Sequence, residues 1–186
     1  MLGRHARRLA LCLTLGTVAA MPLAAQSASG TAHQDSVDTS SPEAIVLAAY
    51  AAIARRPGEH YDWRRFRRLF LPNARLIPNP EQRGGAFSVL SPEEFIAWID
   101  GVTNVGGPND LGFTEAAVHN LVERFGDVAH VFSTYEKHYW GGATLLGRGI
   151  NSFQLVWSEG RWWIVGIVWD EEVGAGPVPG KYRPGG

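Results

Sequence analysis

The last third of the chain constrains the fold most strongly, because it contains four long β-rich segments. They cover residues 113–125, 128–139, 148–157 and 161–171. Short turn sequences separate them at residues 126–127, 141–142 and 158–160. Strands that follow one another through short turns form antiparallel hairpins. The sequence therefore predicts a four-stranded antiparallel meander.

Helical signals precede this meander. The Ser-Pro-Glu sequence at residues 41–43 supplies an N-cap, a first-turn proline and a first-turn acid, and the helix should end at Pro-Gly, residues 57–58. A second helix is expected to begin near Asp62, and a third at the Ser-Pro-Glu-Glu sequence of residues 91–94. A short strand is predicted over residues 74–77. Helices followed by a meander indicate an α+β fold.

Residues 1–25 have the pattern of a secretory signal peptide. Three arginines precede an uncharged apolar run, and small residues follow up to Ala25. The run is shorter than the ~20 apolar residues that span a bilayer. We therefore expect cleavage after Ala25, export to the periplasm or the medium, and no membrane attachment afterwards.

Composition excludes several classes of function. Cys12, the one cysteine, lies in the predicted leader, so the exported chain would have no disulfide and no thiolate metal ligand. The formal net charge of −1 lacks the basic excess of a protein that coats nucleic acid. The sequence has neither closely spaced histidines for zinc nor a glycine-rich phosphate loop, so we expect no metal and no cofactor.

Two segments are expected to flank the folded domain, which we place at residues 41–172. Residues 26–40 are small and polar without periodicity, and they predict a disordered linker. Residues 173–186 are rich in Gly and Pro, and they predict an extended tail.

Six short motifs follow one another between residues 42 and 172. They are Ala-Tyr-Ala-Ala-Ile at 49–53, Asp-Trp at 62–63, Leu-Phe-Leu-Pro-Asn-Ala-Arg-Leu at 69–76, Phe-Gly-Asp-Val-Ala-His-Val at 125–131, Ile-Asn-Ser-Phe-Gln-Leu at 150–155 and Gly-Arg-Trp-Trp-Ile-Val at 160–165. Together they resemble the nuclear transport factor two-like superfamily, which includes ketosteroid isomerases, scytalone dehydratase and polyketide-cyclase-like proteins, and in particular its exported bacterial members. The resemblance implies a cone, in which a curved antiparallel sheet of about four long strands and a short one wraps three helices around an internal pocket.

The resemblance also implies a homodimer formed through the outer face of the sheet. The last β-rich segment supplies an independent reason, because both of its alternating sets are apolar: Trp162, Ile164, Gly166 and Val168 on one face, and Trp163, Val165, Ile167 and Trp169 on the other. Apolar side chains on both faces call for a second covering layer. A partner subunit is the simplest cover, and the tail or the linker is the alternative.

Carried over by position, the resemblance places Tyr50 and Asn151 where ketosteroid isomerases hold the developing oxyanion. The carboxylate base of those enzymes falls near residues 78–79, which hold none. The match to ketosteroid isomerase chemistry is therefore incomplete.

Other residues are candidates for the missing base. His119 lies within an apolar segment, and Glu136 lies in the middle of another. The alternatives are a histidine bonded within the core and a solvent-facing Glu136 paired with Lys137 or Arg148. Arg148 could otherwise bind a carboxylate ligand.

The sequence supports two functional hypotheses of different classes. The first is a binding domain that holds a small, mostly apolar molecule, with Tyr50, Trp63, Phe66, His119 and Asn151 lining the pocket. The alternative is a proton-transfer enzyme of the isomerase, dehydratase or cyclase type, with His119 or Glu136 as base. A dimeric accessory domain is a third possibility. A carboxylate or histidine at the floor of the pocket would favour the enzyme.

Overall fold

The computed structural model describes residues 23–186, so most of the predicted leader, residues 1–22, lies outside the described residues. The helices are α1 (Leu23–Asp38), α2 (Pro42–Ala52), α3 (Trp63–Arg67), α4 (Pro92–Val102) and the short α5 (Glu172–Ala175). The strands are β1 (Phe70–Ile77), β2 (Thr114–Phe125), β3 (Val128–His138), β4 (Leu145–Ser158) and β5 (Arg161–Glu171). The predicted α+β order, with helices before a four-stranded meander, is confirmed.

The five strands form one open sheet in the order β1-β5-β4-β3-β2. The four C-terminal strands pair antiparallel with their neighbours, while β1 pairs parallel with β5. The inner face of this sheet carries the core, in which Val131, Phe153 and Ile164 are fully or almost fully buried. Helix α2 packs across the same face and buries Ile45 and Val46 there.

Local sequence explains where the helices begin. The Ser41 hydroxyl accepts a hydrogen bond from the Ala44 N–H at 3.0 Å, which caps α2. The Asp62 carboxylate caps α3 through the Arg65 N–H at 2.9 Å. Ser91 and Glu94 form a reciprocal capping box at the start of α4. All three predicted helix starts are confirmed.

Strand β5 contains a β-bulge that changes the interpretation of its two apolar faces. Ile164 pairs with Leu155 and Gly166 pairs with Gln154, which leaves Val165 as an extra residue. After the bulge, the residues that face inward belong to the other alternating set. The inner face of β5 therefore combines residues from both predicted sets, namely Trp162, Ile164, Ile167 and Trp169. The prediction that each face keeps one full apolar set is therefore wrong, and the outer face is less apolar than expected.

The predicted disordered linker at residues 26–40 is also corrected, because the segment up to Asp38 is helix α1. Charge pairs hold its C-terminal end. The carboxylate of Asp38, 4% exposed, accepts two hydrogen bonds of 2.7 Å from the Arg65 guanidinium, and Asp35 lies 2.8 Å from Arg68. An apolar pattern did not reveal this helix because paired charges, not apolar burial, anchor it.

The predicted extended tail packs against the outer face of the sheet. Val178 is buried, and its N–H donates to the Glu172 carboxylate at 2.9 Å. The Thr134 hydroxyl donates to the Tyr182 carbonyl, and the Tyr182 ring lies 4.8 Å from the Phe132 ring. The tail therefore covers part of the face that the sequence assigned to a partner subunit. No helix within residues 23–186 is long and apolar enough to cross a membrane.

Candidate functional site

A cavity of about 520 Å³ lies between the inner face of the sheet and helices α2 and α4. Its walls are mainly apolar and aromatic. The principal apolar contributors are Ile53, Phe66, Phe95, Trp98, Ile99 and Phe153. Polar side chains reach it mainly from β2, β3, β4 and the end of β5, which gives the cavity polar groups along one wall.

Four polar side chains, three from the sheet and one from α2, form a connected network beside the cavity. The Asn151 side-chain amide donates one hydrogen bond to the Tyr50 hydroxyl and another to Oε1 of Glu115, both at 3.1 Å. The Tyr50 hydroxyl also lies 2.8 Å from the hydroxyl of Ser133, which is fully buried. Asn151 therefore fixes the positions of the Tyr50 phenol and the Glu115 carboxyl relative to each other.

Glu115 is a carboxyl group with unusual proton affinity. Burial raises its pKa to about 7, while the charge of Lys137 and the hydrogen bond from Asn151 act in the opposite direction. Lys137 lies directly opposite Glu115 in the β2–β3 register. Near neutral pH this carboxyl therefore occurs in both its protonated and its ionised form.

Tyr50 remains a neutral phenol. Burial, followed by the nearby charge of Glu115, raises its pKa well above the ordinary value. Ser133 and Asn151 can both donate to the Tyr50 oxygen, and the phenolic proton is then free for a ligand oxygen. Tyr50 is thus suited to donate a hydrogen bond and not to act as a base.

A second polar group lies farther along the same wall. The Lys137 ammonium pairs with the Glu171 carboxylate, which also accepts a hydrogen bond from the Tyr135 hydroxyl at 3.1 Å. Gln82 contacts Glu171, and the Trp169 indole N–H donates to the Gln82 side-chain oxygen at 2.8 Å. These contacts neutralise the lysine within the cavity wall, and Glu115 has no salt bridge to any other side chain that the structure describes.

The structure brings only some of the predicted site residues together. Tyr50, Phe66 and Asn151 line the cavity. Trp63 lies behind it, where its ring packs 5.5 Å from Phe66 and its indole N–H donates to Asp100 at 2.9 Å. Trp63 therefore supports the wall and does not form part of it.

His119, Glu136 and Arg148 lie on the outer face, so their predicted roles in the pocket are corrected. A β-bulge in β2 between Ala117 and His119 turns His119 outward, opposite Thr134. Glu136 accepts hydrogen bonds of 2.6 and 3.0 Å from the Arg148 guanidinium. The cross-strand ion pair that the sequence left open as an alternative is the observed arrangement.

Sequence reasoning missed Glu115 as the carboxyl of the cavity. The residue is the only acid between positions 111 and 122, and the apolar residues Ala116, Ala117 and Val118 follow it directly. A single acid in such a segment indicates a candidate functional carboxyl group. The sequence alone did not show whether Glu115 faces the cavity or the outer surface, because the bulge farther along β2 interrupts the alternation of the strand.

Asp110 links the two loops at the rim of the cavity through hydrogen bonds and an ion pair. Its carboxylate accepts hydrogen bonds from the N–H groups of Gly58, Gly106 and Gly112 and forms an ion pair with the buried Arg55 guanidinium at 2.7 Å. The backbone hydrogen bonds, with that of Gly106 the largest contribution, hold the pKa of Asp110 far below its ordinary value. Asp110 thus joins the loop after α2 to the loop after α4.

No group of three or more His, Cys, Asp or Glu side chains among the described residues is arranged to hold a metal ion. The fold and the cavity define an α+β cone with a mostly apolar interior and a half-buried carboxyl group beside a phenol.

No protein-family model matches this chain, and no curated protein matches it either. Solved structures do match. A nuclear transport factor two-like protein of unknown function from Silicibacter pomeroyi is 20% identical, with 81% of this chain and 99% of that chain covered and a TM-score of 0.43. A ketosteroid isomerase-like protein from Parabacteroides distasonis is 11% identical over 70% of this chain and 86% of its own, with a TM-score of 0.48.

A calcium/calmodulin kinase hub homology domain from Chlamydomonas reinhardtii is 12% identical, with 78% of this chain and 98% of that chain covered and a TM-score of 0.49. Matched structures thus carry the family name that the sequence motifs suggested. At these identities and TM-scores they transfer no residue roles, so the description of the cavity rests on the geometry of this chain.

Proposed function

We propose that the cavity binds a small, mostly apolar molecule with a carbonyl or enol group and transfers a proton on it, with Glu115 as the base. One observation carries the proposal: the Glu115 carboxyl group faces a mostly apolar cavity, has no salt bridge among the described side chains, and shares the hydrogen-bonding amide of Asn151 with the Tyr50 phenol. This arrangement offers a proton acceptor and a hydrogen-bond donor to one bound molecule.

The size and lining of the cavity support binding of an apolar molecule. Its volume of about 520 Å³ falls within the range of roughly 300–1,000 Å³ that is usual for small-molecule sites. Aromatic and aliphatic side chains form most of the wall, and the polar groups lie to one side. A flat, apolar body with one polar end matches this distribution.

The state of Glu115 supports proton transfer. A general base works best when its pKa lies near the operating pH, because it then accepts a proton readily and also returns it. A carboxyl pKa of about 7 meets that condition. The Tyr50 proton would stabilise the oxygen of an enolate, and Asn151 would hold both groups in place.

Deuterium exchange tests this chemistry without knowledge of the natural substrate. We expect the protein to accelerate exchange at the α-carbon of 1-tetralone in deuterated buffer, followed by proton NMR. The catalysed rate should rise with pH and level off above about 7, as Glu115 ionises. Binding of 2-naphthol, followed by Trp fluorescence, reports occupancy separately.

The two readouts separate the candidate functions. Bound 2-naphthol with exchange no faster than in buffer would leave a binding domain and contradict catalysis. Failure of both would contradict the use of the cavity for molecules of this class. Fluorescence is informative because Trp98 and Trp169 line the cavity.

Replacing Tyr50 by Phe should weaken 2-naphthol binding by about tenfold, because a buried hydrogen bond to the ligand oxygen is lost. Titration calorimetry would measure the affinity. Tyr61→Phe is the matched control, since the Tyr61 hydroxyl lies 3.4 Å from Thr103 at the rim of the cavity and outside the Asn151 network. Equal losses in both variants would contradict a specific role for Tyr50.

We also propose that the chain is exported and forms a homodimer through the part of the outer face that the tail leaves open. The exposed side chain of Val165 on β5 supports the proposed dimer. Native mass spectrometry of protein from an exporting host would report both the mature N-terminus and the subunit number. An uncleaved chain would contradict export, and a monomer would contradict the dimer.

A further inference from the structure

Three polar side chains on the outer face of the sheet form a linear arrangement outside the cavity. The hydroxyl of Ser152 lies 2.9 Å from Nε2 of His130, and Nδ1 of His130 lies 3.6 Å from a carboxylate oxygen of Glu123. They belong to the adjacent strands β4, β3 and β2. None of the three lines the inner cavity.

The sheet register holds this arrangement in place. Glu123 is the direct cross-strand partner of His130. Ser152 is the partner of Phe132, so Ser152 and His130 are diagonal neighbours on the same face. Long side chains bridge such diagonals across antiparallel strands. The positions of all three residues therefore follow from paired strands and not from a loop.

The charge of Glu123 favours one tautomer of His130. The Glu123 carboxylate lies 3.6 Å from Nδ1, which is beyond hydrogen-bond distance, and its negative charge favours the proton on that nitrogen. In that tautomer Nε2 is the acceptor that faces the Ser152 hydroxyl at 2.9 Å. A hydroxyl that donates to a neutral imidazole has a proton acceptor in place when it attacks an ester.

Ser152 also lies at a concave surface. A groove of about 470 Å³ runs between the outer face of the sheet and the C-terminal tail, and Ser152 is part of its lining. Phe132, Ile150, Val168 and Pro177 supply apolar walls to the same groove. The groove thus offers room beside the hydroxyl for a small apolar acyl group.

We propose that Ser152, His130 and Glu123 form a second site, in which Ser152 is acylated by small neutral aryl esters. The Ser152 oxygen forms a bond to the ester carbonyl carbon while its proton passes to Nε2 of His130. The bond from that carbon to the aryl oxygen breaks, and the phenol leaves with the proton from His130. Water then attacks the acyl group, His130 accepts its proton and returns it to the serine oxygen, and a carboxylic acid is released.

The choice of aryl esters follows from the chemistry. An aryl oxide is a good leaving group, so acylation depends mainly on the nucleophile and its base. p-Nitrophenyl acetate is therefore the probe: release of nitrophenolate is measured at pH 8, and the acetylated residue is located by peptide mass mapping of the full chain.

We expect acetylation at Ser152 and a burst of nitrophenolate. Ser152→Ala and His130→Gln should lower the rate at least about tenfold, because each removes one partner of the nucleophile–base pair. Glu123→Gln should cause a smaller loss, since the carboxylate acts only through His130. Ser158→Ala, at the end of the same strand, is the matched control and should retain the full rate.

Two results would overturn the proposal. One is acetylation only at lysines or at the chain terminus, and the other is an unchanged rate in Ser152→Ala. Thermal unfolding of each variant verifies that the sheet is intact. Ser152→Cys provides a further check, because a nucleophile retained at this position should still be acetylated there. The inner cavity is not involved, so the result is independent of the function proposed for Glu115.

Discussion

Replacement of Glu115 by Gln should reduce the catalysed exchange of 1-tetralone by about 10²- to 10⁴-fold, the usual contribution of a general base. The amide has nearly the same shape, and its oxygen can still accept the hydrogen bond from Asn151. It cannot accept a proton near neutral pH. Proton NMR in deuterated buffer measures the change, and titration calorimetry with 2-naphthol should show that binding persists.

The control for this variant is Glu159→Gln, in the exposed turn between β4 and β5, which should leave exchange unchanged. An equal exchange rate in Glu115→Gln and the parent protein would show that another residue is the base.

The stability of the protein gives a separate readout for Glu115. Because folding raises the pKa of Glu115, the protein loses stability as pH rises from the ordinary value of about 4.5 towards about 7. The Gln variant should escape that loss.

Replacement of Asp110 by Asn should lower the unfolding temperature by roughly 5 °C or more. The amide would turn a donor towards a set of groups that are themselves donors, and it would leave Arg55 buried without its charge partner. Affinity for 2-naphthol should fall as well, because the rim residues Tyr61, Thr103 and Phe113 line the cavity. Scanning calorimetry and ligand titration measure the two effects.

The effect of Asp110 should depend on pH in a defined direction. Its carboxyl pKa is lowered by folding, so its contribution is complete above the ordinary value of about 4 and is lost as pH falls further. The difference in stability between the Asp110→Asn variant and the parent protein should therefore be full at pH 7 and shrink in acid. Glu59→Gln is the control, since the Glu59 carboxylate forms an exposed pair with Arg56 at 3.7 Å, of the kind that contributes little to stability. A constant difference across this pH range would contradict the role of the ionised carboxylate.

Sequence patterns predicted those parts of the fold that depend on local signals. The helix caps at Ser41, Asp62 and Ser91 are determined by side chains that bond within a few residues. Tyr50 and Asn151 could be predicted because the motifs around them resemble a known family. Each of these inferences used information contained in a short stretch of chain.

Glu115, the proposed general base, could not be predicted in the same way, because the face on which a strand residue lies depends on pairing between distant residues. Strict alternation from Ala117 would turn His119 inward, but the extra residue in the β2 bulge turns it outward. The bulge becomes visible only when β2 is paired with β3. The same holds for Val165 in β5, where the sequence suggested two complete apolar faces.

The parallel pairing of β1 with β5 has a consequence for the order of folding. Phe70 pairs with Ile164, so the first strand of the sheet meets its partner only after nearly all of the chain is available. Long-range parallel contacts form slowly because a large loop must close first. Leu76 on β1 and Trp169 on β5 both line the cavity, and the pairing of these two strands places them next to it. A chain emerging from the ribosome therefore has no completed cavity until its final strand has been synthesised and has joined the sheet.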